Sequence, residues 1–279
     1  MRTAVIDVGG GLRGIYAAGV FDLCMQNAIT FDIGIGVSAG SANIASYFAG
    51  QRGRNYVFYM EYAQRKKYMS LSNFLRKKSY VDLDYVYSTL SNSDGENPLD
   101  YTSMQKNPAE LFVVASNAVT GEAKYFTKAD MSQDNYDIFK ASCSLPVVCQ
   151  PYVIDGNPYY DGALSDPVPV RKALELGAEK FVLVLTRPRE QSRSPERDVR
   201  LAHVLAKKYP RAAEGLELRA ERYNAGVKLA EQYEKEGNAL IIAPDDLCGM
   251  STLTRDKVAM QKFYDKGLAD GEKIVSFLK

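Results

Sequence analysis

The stretch IGIGVSAGSANIAS, residues 33–46, constrains this chain more than any other. A β-branched run from Ile33 to Val37 leads directly into Gly36-Val37-Ser38-Ala39-Gly40, and small residues suited to a helix follow. Strand, sharp turn and helix in that order make a G-x-S-x-G elbow, whose strained backbone lifts the serine clear of the sheet. Gly36 and Gly40 remove side chains that would otherwise collide with the neighbouring strand and helix. The Ser38 hydroxyl then stands at a helix N-terminus, where unpaired N–H groups and the helix dipole favour the negative charge that develops during acyl transfer. Ser38 is therefore a candidate nucleophile. Gly and Ser are common in such turns, so the reading needs partners elsewhere in the chain.

A second glycine turn lies one strand earlier. Ala4 to Val8 is a short apolar strand holding one acid, Asp7; it runs into Gly9-Gly10-Gly11-Leu12-Arg13-Gly14, and a helical pattern follows from Ile15 to Met25. Two chemical readings compete with that of a plain tight turn. Gly9, Gly11 and Gly14 satisfy the dinucleotide fingerprint G-x-G-x-x-G, with Asp32 about 20 residues on as a ribose-binding acid. That acid should end the second strand, whereas Asp32 precedes it. In the other reading the loop is an oxyanion hole, its glycine N–H groups aimed at a carbonyl oxygen. Losing one such donor typically costs about 10²- to 10³-fold in rate.

With 279 residues and 46% hydrophobic content the chain can bury a large core as one α/β domain spanning 1–279. Its formal net charge of +1 creates no global field, and no nucleic-acid partner is expected. Cys24, Cys143, Cys149 and Cys248 show no C-x-x-C pairing. They read as buried thiols in a reducing compartment, and no metal site or cofactor is expected. No run approaches the roughly 18 apolar residues of a membrane span, and MRTAVIDVGGG lacks a signal-peptide core. The expected location is cytoplasmic.

Further along, the aromatic-rich residues 55–68 read as one helix ending in Arg65-Lys66-Lys67, followed by a second basic triplet, Arg76-Lys77-Lys78. These triplets, with Tyr and Phe between them, could dock peripherally on anionic lipid; a plain amphipathic helix with buried aromatics explains them as well. Residues 91–98, SNSDGENP, form a turn-rich mobile loop. Leu111–Ser116 and Ala123–Thr127 make a hairpin about Thr120-Gly121, and 136–141 a short helix. Strands over 147–154 and 158–160 flank the turn Asp155-Gly156-Asn157, the second delivering Asp161 at its end. Val168–Leu176 is helical, Lys180–Thr186 a buried strand, and 187–197 a polar loop. Residues 198–236 are helical but interrupted at Pro210; within 190–238 they form an elaboration that could cap the site. A strand at 239–243 and a helix over 255–279 close the chain. The alternation predicts a three-layer α/β/α fold about a mainly parallel sheet.

Three motifs in order, Gly9-Gly10-Gly11-Leu12-Arg13-Gly14, Gly36-Val37-Ser38-Ala39-Gly40 and Asp161-Gly162-Ala163, resemble the marks of the patatin-like acyl hydrolases. The segments 141–146, ASCSLP, and 166–169, DPVP, extend the resemblance, which covers about residues 4–188 and then fades. It implies a Ser–Asp dyad in which Asp161 takes the proton of Ser38 directly, with Gly9, Gly10, Gly11, Arg13 and Gly14 forming the oxyanion loop. A carboxylate is a weak base in water, so such a dyad asks for desolvation or a pre-formed hydrogen bond. The order Ser38, Asp161, His203 also matches a hydrolase triad. The sole histidine, however, falls inside the helical run RLAHVLAKKY. The expected function is hydrolysis of a fatty acyl ester of a phospholipid or related lipid. The alternatives are a nucleotide-binding protein and a regulatory module of the same fold without turnover. Arg13 either holds the loop or faces a lipid phosphate.

Overall fold

Which way each strand residue points follows from the alternation of the first two strands. The computed structural model describes residues 1–279. In β1 (Thr3–Asp7), Val5 joins one apolar cluster while Ala4 and Ile6 join another on the opposite face of the sheet. After α1 (Ile15–Gln26) comes β2 (Ile33–Val37), in which Ile33, Ile35 and Val37 belong to the second cluster and glycines occupy the positions between. A Cβ on Gly34 would lie 2.6 Å from the Ile44 side chain, and one on Gly36 2.3 Å from Ser41 Cα. Glycine at these two positions lets α2 (Ala39–Phe48) lie directly on β2.

The chain continues through α3 (Arg54–Met60), α4 (Leu71–Lys77), α5 (Tyr101–Lys106), β3 (Glu110–Asn117), β4 (Ala123–Thr127) and α6 (Asp137–Ser142). It then runs through β5 (Tyr152–Ile154), β6 (Asn157–Asp161), α7 (Val170–Glu175), β7 (Lys180–Val184), α8 (Glu196–Leu205), α9 (Pro210–Lys235), β8 (Ala239–Ile242) and α10 (Lys257–Phe277). The sheet order is β5-β6-β3-β2-β1-β7-β8, with β4 paired to β3. The run β3-β2-β1-β7-β8 is parallel; β4, β5 and β6 pair antiparallel. Helices α1, α2 and α10 cover one face, α7 and α9 the other, giving the three-layer α/β/α fold that the alternation predicts.

Register sets where function can lie. Asp7 stands opposite Gly36 on one side and Val184 on the other, so the turns after β1, β2 and β7 leave the sheet together at the carboxyl ends of the parallel strands. The connection from β1 runs toward β2 and that from β7 toward β8, in opposite directions along the sheet. The crevice between such diverging turns is where open α/β sheets bind ligands.

Three local expectations change. The helix over 55–68 ends at Met60. Arg65 is extended instead, stacked over Tyr62 at 4.4 Å and paired with Glu96 through bonds of 2.7 and 2.8 Å, while Met69 bridges to Val81. The aromatics Phe58, Tyr59 and Tyr62 are buried, as an amphipathic segment requires, and do not form a surface patch. The strand expected over 147–154 is confined to Tyr152–Ile154, because Val147 takes a left-handed backbone, φ 68°, in the turn before it. The 91–98 loop is turn-rich but tied down by Arg54, which donates to Ser91 Oγ and Asn97 O at 3.0 Å each.

Candidate active site

Ser38 caps α2 with φ 55° and ψ −133°, a conformation costly for any residue with a side chain and characteristic of a functional turn. The elbow is clamped on all sides. Ser41 donates to the Ser38 carbonyl at 2.6 Å, and the Ser38 N–H donates to Ser142 Oγ at 2.8 Å. A Cβ on Gly40 would fall 2.3 Å from the Asp7 carbonyl, and one on Gly9 2.3 Å from that of Val37. The elbow and the first glycine loop thus touch backbone to backbone, and glycine is the only residue that allows it.

In the glycine loop Gly9, Gly10 and Gly11 all have positive φ, 64°, 135° and 61°. Asp7, wholly buried, fixes its start: Oδ1 accepts the Gly9 N–H at 2.8 Å and Oδ2 the Asn43 amide at 3.0 Å. Burial pushes this carboxyl up to about 6 against those stabilising hydrogen bonds. Asn43 also donates to the Gly14 carbonyl and accepts from the Tyr59 hydroxyl, each at 3.1 Å. Thr186 Oγ1 donates to the Gly9 carbonyl, and the Leu12 N–H donates to Thr252 O at 2.9 Å. So held, the loop leaves the N–H groups of Gly10 and Gly11 without an acceptor in the protein. Gly14 ends the single 3-10 turn that follows, where a Cβ would meet the Tyr59 hydroxyl at 2.3 Å.

Asp161 ends β6 and caps the short turn Gly162–Leu164, its Oδ1 accepting the Ala163 N–H at 2.9 Å. Its backbone is fixed by Ser144 O and Ser116 Oγ, both at 2.9 Å. A Cβ on Gly162 would sit 2.3 Å from Val114 O, which accounts for the glycine of the triplet. The carboxylate is 1% exposed, and its Oδ2 has no hydrogen-bond partner. Burial raises its pKa; the neighbouring Ser38 hydroxyl and the Ala163 N–H oppose the rise. Ser38 and Asp161 therefore face one another in one crevice, close enough for the hydroxyl to influence the carboxylate but without a formed hydrogen bond between them. Cys143 shares this corner, its Sγ 3.1 Å from the Tyr87 hydroxyl, and burial pushes its thiol far up.

Two cavities meet at Ser38. One is apolar, walled by Phe58, Tyr68, Met69, Val86 and Leu145 among others; the second is polar and holds the glycine loop, Asp161 and several arginines. Arg13, 8% exposed, lines this polar cavity, with Nε near the Gly10 carbonyl at 3.5 Å. His203 lines neither cavity; it is exposed on α8 with a ring nitrogen against Val199 O at 2.7 Å. Asp32 lies at the amino ends of β1 and β2, accepting from Thr3 N at 2.7 Å, the opposite end of the strands from the glycine loop.

Several polar residues of the site escape reading by motif. Asp7 is visible as a lone acid in an apolar strand, but its task of holding the loop shows only with Asn43 beside it. Ser142 belongs to a small-residue segment and gives no sign of reaching the Ser38 amide. Arg187 and Arg193 lie in what reads as a polar loop, and Arg219 and Tyr223 on a charged helix; their convergence is a tertiary fact. The only trace of the first two in sequence is the arginine density of TRPREQSRSPER, residues 186–197.

The likenesses to known proteins agree with this arrangement. A family model described as "Patatin-like phospholipase" matches residues 8–174, and another, described as a domain of unknown function (DUF6363), matches 209–279, taking in α9, β8 and α10. The uncharacterized protein YjjU of Escherichia coli (strain K12) is 28% identical over 200 residues, 70% of this chain and 55% of YjjU. The chain thus spans about half the length of that curated relative. VipD from Legionella pneumophila, known from a crystal structure, aligns over 99% of this chain and 67% of its own with a TM-score of 0.51 and 13% identity, a likeness of fold. Because the first match covers more than half of the residues and contains every motif position from Gly9 to Asp161, the chain belongs to the patatin-like phospholipase family.

Proposed function

We propose that the chain hydrolyses a fatty acyl ester of a phospholipid or related lipid through Ser38 and Asp161. The observation that carries this reading is a strained, clamped serine in one crevice with a buried carboxylate oxygen that has no hydrogen-bond partner. Ser38 Oγ attacks the ester carbonyl carbon as its proton passes to Asp161. The carbonyl oxygen becomes an oxyanion bound by the N–H groups of Gly10 and Gly11, which have no acceptor within the protein. Collapse of the tetrahedral intermediate expels the alcohol, which takes the proton from Asp161 and leaves Ser38 acylated. Asp161 then accepts a proton from water, the hydroxide attacks the acyl carbon, and the fatty acid departs as Ser38 Oγ regains its proton. Desolvation supplies the basicity that an exposed carboxylate lacks.

The apolar cavity takes the acyl chain. Contact with a membrane surface falls to α4, where Leu71, Phe74 and Leu75 are exposed at 74%, 42% and 82% beside the exposed Arg76 and Lys78. No helix is long and apolar enough to cross a membrane. The four free thiols fit a cytoplasmic setting.

The test is ester hydrolysis and fluorophosphonate labelling of the full chain. Ser38→Ala should abolish labelling and lower turnover by at least about 10³-fold. Asp161→Asn should lower turnover comparably, and His203→Ala should leave it near wild type. Activity surviving in Asp161→Asn but lost in His203→Ala would exclude the dyad. An unlabelled Ser38 in folded wild type would favour a module without turnover.

A further inference from the structure

The polar cavity beside Ser38 carries more positive charge than the protein neutralises. Five arginines line it, Arg13, Arg187, Arg193, Arg197 and Arg219, against two carboxylates, Asp161 and Asp198. Asp198 is spoken for. Arg219 grips it through two nitrogens, Nε donating to Oδ2 at 2.8 Å and Nη2 to Oδ1, and Arg193 lies 3.3 Å from Oδ2. Asp161 is turned to Ser38 and Ala163. Arg13 and Arg187 have no carboxylate partner, although Arg13 is more than nine-tenths buried. Arg187 instead packs its guanidinium 5.6 Å from the centre of the Tyr223 ring. Tyr223 lines the same cavity at 7% exposure, and its hydroxyl is buried without a hydrogen-bond partner.

A buried guanidinium with no counter-charge and a buried hydroxyl with no partner are each costly. Their coincidence in one cavity, beside a nucleophile, marks a place for an anion. Planar guanidinium forks match the oxygens of a phosphate, and several such donors exceed what the two oxygens of a carboxylate accept. The apolar cavity borders the same serine, so an amphiphile with its ester carbonyl at Ser38 lays its chain in one cavity and its head in the other.

We propose that the arginine-lined cavity is a headgroup subsite that holds the phosphate of a phosphorylated acyl ester, with Arg13, Arg187, Arg193 and the Tyr223 hydroxyl as its partners. The inference rests on Ser38 being the nucleophile of the reading above and adds the class of substrate. Arg187, Arg193 and Tyr223 all lie outside the span matched by the patatin-like model, and Tyr223 lies inside the 209–279 match. Apart from Arg13, which belongs to the glycine loop, the subsite is therefore built from the part of the chain that the catalytic motifs do not include.

The experiment compares a 1-acylglycerol 3-phosphate with the monoacylglycerol of the same chain, both presented as monomers to the full-length protein. The wild type should favour the phosphorylated ester in kcat/KM by at least about tenfold, the worth of one charge-assisted hydrogen bond, with the difference in KM. That ratio should fall toward one in Arg187→Gln and fall less in Tyr223→Phe, which keeps the ring and serves where the first variant misfolds. A calorimetric titration of inorganic phosphate into Ser38→Ala should show binding that is lost when Arg187→Gln is added. Equal use of the two esters by wild type, or a ratio unmoved in both variants, overturns the proposal. Phosphate binding without an ester preference also overturns it, assigning the cavity to free phosphate. Hydrolysis of neither ester would count against the hydrolase reading. In that case the calorimetric titration still decides: phosphate binding that needs Arg187 keeps the anion subsite, and no binding removes it.

Discussion

In the proposed dyad Asp161 serves two opposed needs. As a base it must be charged when Ser38 attacks, yet burial favours its neutral form and raises its pKa. The sign of the pH dependence follows. Turnover should fall on acidification through a limb lying above the ordinary aspartate value of about 4, because the carboxylate is lost as pH drops through its raised folded value. Stability should move the other way. The folded state holds the proton more tightly than the unfolded chain, so charging Asp161 costs stability as pH rises through the folded value. Asp161→Asn should accordingly be inactive and more stable than wild type at pH 8, by about 1 kcal/mol, with the gain vanishing toward pH 4. A pH–rate profile on a water-soluble ester, paired with thermal melts at both pH values, checks both halves. An acid limb at the ordinary value, or a less stable variant at pH 8, would contradict the account. Ser38 shows the same compromise in its backbone, held at φ 55° by Gly36, Gly40 and Gly9, whose missing side chains make room for the turn.

At the scale of elements, what could be read in the sequence was what short-range sterics enforce. Glycines at 9, 11, 36, 40 and 162 answer to backbone approaches under 3 Å, and such demands allow only one residue type. They mark the loop, the elbow and the acid before any fold is known. The end of α3 was hidden because nothing local stops the helix at Met60; Arg65 is drawn away by Tyr62 and by Glu96, some thirty residues on. Of the two readings of residues 55–68, the aromatics follow the one that buries them. Phe58, Tyr59 and Tyr62 are buried, whereas Leu71, Phe74 and Leu75 of α4, which buries none of its residues, are exposed. The residues flanking α4 include Met69 and Val81, which line the apolar cavity proposed to take the acyl chain. Replacing Leu71 and Leu75 together by Asp should lower turnover of vesicle-embedded ester by about tenfold or more, since each buried leucine is worth about 1.5–3 kcal/mol. Hydrolysis of a soluble ester should be unchanged. Equal activity of this variant and wild type on anionic vesicles would remove α4 from the docking surface.

Over the whole molecule, the motif-bearing side of the candidate site and, Arg13 apart, its arginine-rich side come from different lengths of chain. The glycine loop, elbow and acid lie within the first 161 residues, on β1, β2 and β6, where motif reading reaches. The wall opposite comes from the turn after β7, α8 and α9, brought in only because β7 and β8 extend the sheet beside β1. Here sequence reading gave helices that could cap the site but no chemistry, since Arg193, Asp198 and Arg219 acquire meaning only on meeting. Asp198 is the knot: it joins the loop, α8 and α9 at 2% exposure. Burial alone would raise its pKa, but the hydrogen bonds and charges of Arg219 and Arg193 outweigh that and hold the carboxyl below its usual range. A depressed carboxylate contributes stability above its unfolded value and loses it as pH falls through the folded one. Asp198→Asn should therefore destabilise by about 3 kcal/mol at neutral pH, as expected when one partner of a buried ion pair is removed. The gap to wild type should close as acid protonates Asp198 itself. The variant also leaves Arg193 and Arg219 without a counter-charge in a cavity already rich in arginine. Millimolar phosphate should then restore part of the lost melting temperature, by mass action on the folded state. Melts of wild type and variant across pH, with and without phosphate, test the chain of reasoning. A variant that melts with wild type at pH 7 would show that the clasp does not hold the wall in place.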